Sequence, residues 1–233
     1  TQETNLEIPI NSGKVEVSVD CGNNYEKTTA SYPVSFESCP RIAFKGRIDA
    51  DLTKWEGRPF IAMNERSQIM PPDPWIEWKG PEQFSAKIYS GWDDKYFYMA
   101  AEVKDQIHSN RFSREIYRGD CIQFAFGPKA DSLKTGYGAD DKEMGMALVD
   151  GKPAFVQWAG QGIWNDCEYV VKRDDTAKKT FYEIRIPLAS LGIAAAKGTA
   201  FGFNFVIFND DTGAGSNYYY QFAPGIAGGK NPA

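Results

Sequence analysis

Apolar and polar residues alternate with a period of two over most of this chain, the signature of strands with two different faces. In "YFYMAAEV", Phe97, Met99, Ala101 and Val103 share one face, and Tyr96, Tyr98, Ala100 and Glu102 share the other. In "DCIQFAF", Ile122, Phe124 and Phe126 oppose Cys121, Gln123 and Ala125. In "FYEIRIP", Tyr182, Ile184 and Ile186 oppose Phe181, Glu183 and Arg185. In "TAFGFNFVIFND", Phe201, Phe203, Phe205 and Ile207 form one face, with Asn204 and Val206 on the other. Further strands are expected at "MGMALV", "PAFVQW", "CEYVVKR" and "NYYYQF". "SAKIYSGWDDKYFYMAAEVKD" reads as a hairpin turning at Trp92-Asp93-Asp94, with Phe97 and Met99 in the core and Tyr96 and Tyr98 beside a ligand surface. The one helical candidate after residue 110 is the short "LASLGIAAA". Long strands, short turns and almost no helix predict an all-β, antiparallel β-sandwich, with a closed barrel as the alternative.

Residues 1–45 read differently. "KVEVSV" alternates at Val15, Val17 and Val19 behind a Ser-Gly turn signal. This predicts an extra N-terminal β segment, or the tail of a preceding β unit, ahead of a sandwich over residues 46–233.

The 233 residues suffice for one large β domain, and 42% hydrophobic residues supply its core. The net charge of −5 is spread along the chain, which argues against nucleic acid, whose phosphates select a basic patch. No apolar run approaches the about 20 residues of a membrane span. No signal peptide is visible and the chain starts at Thr1, so an exported mature protein or a module of a longer one is expected. The four cysteines contain no C-x-x-C pair and there is one histidine, a poor set for zinc. Cys21 and Cys39 flank a polar loop and suit a disulfide in an exported protein. Cys121 and Cys167 could pair only from neighbouring strands.

Five stretches follow one another in a fixed order: "IDADLTKW", the hairpin, "IYRGDCIQFAF", "FYEIRIPLASLG" and "FGFNFVIFND". With that order the chain resembles the family 9 carbohydrate-binding modules and their wider group, which includes the DOMON-type sandwiches. The resemblance covers residues 46–233 and implies a jelly-roll-like sandwich in a secreted or cell-surface protein. It also implies a non-catalytic role, in which a sugar is held between two aromatic rings on the concave sheet. Tyr117 stands where the family places the first tryptophan, and Gln123 where it places a glutamate. In the loop "APGIAGGKNPA", glycine stands where the family has its second tryptophan.

Sugar binding calls for flat rings against C–H faces and planar polar groups for hydroxyls. The candidates are Tyr117, Gln123 and Asn204, with Trp75 and Trp78 in the loop "PPDPWIEWKGPE" and Trp158 and Trp164 in the loop "VQWAGQGIWND". Trp55 and Trp92 are assigned to the scaffold. Oxygen-rich turns suit calcium. Asp140, Asp141 and Glu143 are candidates for a structural ion, the sort that members of the family can hold, and "FNDDTGAGSN" adds Asp210 and Asp211. No G-x-S-x-G elbow is present, and a Ser-His-Asp triad would have to use His108. Haem ligation, as in related DOMON domains, would need His108 with Met144 or Met146. A third alternative is a structural or adhesive module that joins copies by strand exchange.

Overall fold

The computed structural model describes residues 14–19, 28–33, 37–129, 136–227 and 230. They fall into two compact units, Thr1–Cys39 and Pro40–Ala233. In the first, strand β1 (Lys14–Val19) pairs antiparallel with β2 (Thr28–Pro33).

The second unit is built from eleven strands: β3 (Ile61–Met63), β4 (Ile69–Met70), β5 (Phe84–Trp92), β6 (Tyr96–Asp105), β7 (Cys121–Gly127), β8 (Lys142–Val149), β9 (Lys152–Ala159), β10 (Glu168–Asp174), β11 (Lys179–Pro187), β12 (Gly202–Asn209) and β13 (Tyr218–Gln221). They form two antiparallel sheets, ordered β10-β11-β6-β5-β3 and β4-β13-β12-β7-β8-β9. The expected antiparallel sandwich is therefore the observed fold. Between the sheets lie the faces that the alternation marked as apolar. Phe97, Met99 and Ala101 of one sheet, and Ile122, Phe124, Met144, Met146, Phe205 and Ile207 of the other, are essentially inaccessible. Phe97 meets Phe126 edge-on at 5.0 Å, across the two sheets.

The β5–β6 hairpin turns where expected. Asp93 holds the turn by accepting from the backbone N–H groups of Lys95 and Tyr96, and from the Tyr98 hydroxyl. Tyr98 and Ala100 are buried on the outer face, because residues 42–55 cover it. Ile42, Ile48 and Trp55 pack there, with Phe44 stacked on Tyr98 at 4.4 Å. This corrects one expectation. Tyr98 is buried beneath this segment, and Tyr96 and Tyr98 lie on the sheet opposite the Tyr117–Gln123 strand, so they do not stand beside those candidates.

Glu183 anchors the covering segment. Its buried carboxylate accepts from the backbone N–H of Asp49 and Ala50 at 2.9 Å, and from Trp55 Nε1 at 3.1 Å. Lys54 Nζ supplies a counter-charge at 3.1 Å.

The helical candidate is a single turn, α2 (Leu188–Leu191), stopped by Gly192 at φ 73°. A second turn, α1 (Ile163–Asp166), was not expected. Cys121 and Cys167 are not joined, since Cys121 lies in β7 and Cys167 precedes β10 of the opposite sheet. Cys21 lies outside the described residues, and so does its pairing with Cys39.

Candidate functional site

The outer face of the six-stranded sheet carries the site. Along β7 that face presents Cys121, Gln123 and Ala125, and along β8 it presents Glu143, Gly145 and Ala147, opposite them in register. Two apolar patches flank its middle. One is Ile116, Cys121 and Ala147, with Val156, Trp158 and Phe208 packed against them. The other is Ala125, Val206 and Ile226, with Tyr137, Phe208 and Tyr219. Between the patches runs a polar strip. Gln123 donates from Nε2 to Glu143, and Lys230 Nζ lies 2.7 Å from the same Glu143 oxygen. Gln123 and Glu143 are buried while Lys230 is half exposed, so the strip reaches solvent through an ammonium group.

Tyr117 and Trp158 form the aromatic wall. Tyr117 sits in a tight turn, Ile116–Arg118, just before β7. Gly119 ends that turn against the chain of Ser109 and Asn110. A Cβ there would stand 2.7 Å from the Ser109 carbonyl oxygen and from Asn110 Cγ. Gly119→Ala is therefore expected to lower stability by about 1–3 kcal/mol, as overpacking does. Thermal unfolding checks it.

Trp158, expected at the end of the strand "PAFVQW" and in the loop that follows, lies inside β9. The ladder pairs Met144 with Gln157 and Glu143 with Ala159, which leaves Trp158 as the extra residue of a bulge. A bulge re-aims its side chain. Here it lays the indole over Gly145, where a Cβ would come within 2.9 Å of the ring. The Tyr117 and Trp158 rings lie 6.1 Å apart at 58°, an open corner rather than a parallel clamp. The Tyr117 hydroxyl donates to Glu115 at 3.2 Å, and the residue keeps 37% of its surface in solvent.

The structure thus brings Tyr117, Trp158 and Gln123 to one face, and adds Gly145, Glu143 and Lys230. The bulge and the long-range ion pair leave no local pattern, and so sequence reasoning missed these three as partners of the rings. Asn204 is fully buried. Its amide holds the backbone of Ala223 and Pro224, pinning the segment that carries Ile226. Trp78 is an anchor, with Nε1 donating to the Phe84 carbonyl and the ring edge-on to Tyr220 of β13. Trp75 is 87% exposed on the loop before it. The Trp164 side chain lies outside what is described.

Among the described residues, the acids of this turn do not converge on one point. Asp140 pairs with Lys129 at 2.5 Å, Asp141 accepts from the Gly138 N–H, and Glu143 faces Gln123 and Lys230. Among the described residues, the acids and the histidine that converge with ligand-like spacing are Asp105, Asp120 and His108. Burial pushes the Asp105 carboxyl up to about 7, and the charges of Asp211 and Asp210 add to the rise. Met144 and Met146 are sealed in the core, so the structure does not offer them as axial ligands with His108.

Residues 66–224, more than half of the chain, match the model of the carbohydrate family 9 binding domain-like family. The chain belongs to this family. The family 9 carbohydrate-binding module from Caldicellulosiruptor kristjanssonii, solved in complex with cellotriose, has a similar fold. Its TM-score is 0.62 at 18% identity, over 78% of this chain and 82% of that one. The same module in complex with glucose gives a TM-score of 0.62 at 18% identity, over 78% and 83%. No curated protein matches the sequence. The family 9-like fold of this chain departs from a two-tryptophan clamp. Tyr117, exposed, and the bulged, partly buried Trp158 supply its rings, and Ile226 is packed down on Ala125 and Val206.

Proposed function

We propose that this domain binds carbohydrate without chemistry, on the outer face of its six-stranded sheet. The observation that carries the reading is the corner of the exposed Tyr117 and the partly buried Trp158 beside the Gln123–Glu143–Lys230 strip. A pyranose has apolar C–H faces and a rim of hydroxyls. The rings cover the first and exclude water, while the amide, carboxylate and ammonium groups bond the second. The Tyr137 hydroxyl, buried beside Glu143, adds a further polar group next to the strip. The complexes of the similar module with cellotriose and glucose make glucose-containing chains the first ligands to test. The affinity for one sugar unit is modest, since each displaced water must be replaced bond for bond. An exported protein that holds a glycan, or holds an attached enzyme near one, is the setting this reading fits.

A glycan array followed by calorimetry tests it. Tyr117→Ala and Trp158→Ala should each weaken a hit about tenfold or more, or about 1.4 kcal/mol; Tyr117→Ala should leave the melting temperature unchanged, and Trp158→Ala, which also loses its packing on Ile116, Cys121 and Ala147, should lower it. Trp75→Ala should leave it unchanged. Binding that survives both ring truncations would overturn the assignment of the site.

A further inference from the structure

Positive charge is concentrated beside Tyr117, and the sugar contacts described above leave it unused. The stretch "RFSREIYR", residues 111–118, carries Arg111, Arg114 and Arg118 against the one acid Glu115, in a chain whose net charge is −5. The three arginines and Glu115 are all exposed. Among the described residues, Arg118 forms an ion pair with Glu115 at 3.2 Å, and Arg111 and Arg114 form none. Like charges held together repel, so such a patch attracts an anion.

The patch is built rather than loose. Phe112 gathers two of the guanidinium groups on its ring, with Arg118 Cζ 4.5 Å and Arg111 Cζ 5.7 Å from the ring centroid. The backbone beneath is fixed by the buried Asn110. Its Oδ1 accepts from the Phe112 N–H at 3.0 Å, and its Nδ2 donates to the Ile116 carbonyl at 2.8 Å. The Arg118 carbonyl accepts from the Ser216 N–H at 2.6 Å. Glu115 ties the patch to the aromatic wall. Its Oε1 accepts from the Tyr117 hydroxyl and its Oε2 from Arg118 Nη1, both at 3.2 Å. One carboxylate therefore separates the phenol from the guanidinium. Among the described residues, Nε and Nη2 of Arg118 have no acceptor, so part of the stacked guanidinium is left to meet a ligand.

We propose, resting on the carbohydrate reading above, that the glycan bound on this face is acidic. Its carboxylate or sulfate is held by Arg118 and drawn in by Arg111 and Arg114, while its ring lies on Tyr117 and Trp158. A neutral sugar presents hydroxyls, which the Gln123–Glu143–Lys230 strip can bond, and gives the three arginines no partner. The planar guanidinium fork matches two oxygens of one oxyanion, as an ammonium group does not. Glu115 holds the fork by Nη1, and an incoming oxyanion can take the remaining nitrogens without displacing it. Uronic acids and sulfate esters share this chemistry.

A glycan array of neutral, uronate-bearing and sulfated oligosaccharides, read at low salt, is the first test. The strongest hits should be acidic, and the separate classes show whether carboxylate or sulfate is preferred. Calorimetry then compares the best acidic hit with its carboxyl-reduced or desulfated counterpart. The acidic form should bind about fivefold tighter, the reach of an exposed ion pair. That advantage should shrink towards one in about 0.5 M sodium chloride. Arg118→Gln should remove most of it, and the double variant Arg111→Gln, Arg114→Gln should reduce it. Lys172→Gln, the same change of charge on an exposed residue of β10 in the other sheet, should keep it. Hits confined to neutral glycans, or equal affinity within the matched pair, would overturn this proposal and leave the carbohydrate reading standing. No hit in any class would overturn both. An advantage that Lys172→Gln reduces as much as Arg118→Gln does would reveal diffuse attraction without a site, and would overturn it too.

Discussion

Glu183→Ala should lower the stability of this domain by about 3–5 kcal/mol, the usual effect of removing one partner from a buried charged network. Four donors converge on this carboxylate: the Asp49 and Ala50 N–H groups, the Trp55 indole N–H and the Lys54 ammonium. Alanine would leave the buried members of that set unpaired at the bottom of the segment that covers the five-stranded sheet. Trp55, itself 1% exposed, would lose the acceptor of its indole N–H while keeping its apolar contacts. A urea titration should show a lower midpoint with an unchanged slope. Glu183→Gln keeps the shape and one acceptor, so it should fall between alanine and wild type. A change below 1 kcal/mol in the alanine variant would mean that the covering segment is held by its apolar contacts alone.

Gly145→Val should remove glycan binding while leaving most of the fold. The site has room for the Trp158 ring only because position 145 has no side chain. A Cβ would lie 2.9 Å from two ring carbons and 3.0 Å from the Ile122 carbonyl oxygen. The ring can swing outward and the carbonyl cannot, so the indole leaves the sheet and the corner with Tyr117 is lost. Affinity for any ligand that depends on Trp158 should fall tenfold or more, and overpacking should cost about 1–3 kcal/mol of stability. Calorimetry and a melting curve on the same sample separate the two effects. Full affinity in Gly145→Val would show that the flat seat of Trp158 plays no part in recognition.

Much of this was legible in the chain. Alternation over "YFYMAAEV", "DCIQFAF" and "FNFVIF" set which residues face the core, because a period-two backbone sends neighbouring side chains to opposite faces. The same alternation put Gln123 and Cys121 on one face of β7, and the motif order marked Tyr117 as a ring at its edge. Trp158 was recognised as a candidate but placed in a loop, since the bulge that carries it is defined only by the partner strand. Asn204 was a fair polar candidate on the right face of β12. Its burial depends on residues 223–226, which fold back over it from outside the strand.

Sequence by itself determined the strands, their inner faces, the sandwich class and the ring at residue 117, because these depend on local periodicity and on order along the chain. Tertiary structure alone decided which outer face carries the exposed Tyr117 ring. Residues 42–55 close one sheet around Glu183, and the bulge in β9 sets Trp158 over Gly145 on the other. It also gathered Asp105, His108 and Asp120 at one end of the sandwich. Contacts between residues far apart in the chain are set by how sheets stack and segments fold back, and no short-range pattern encodes them.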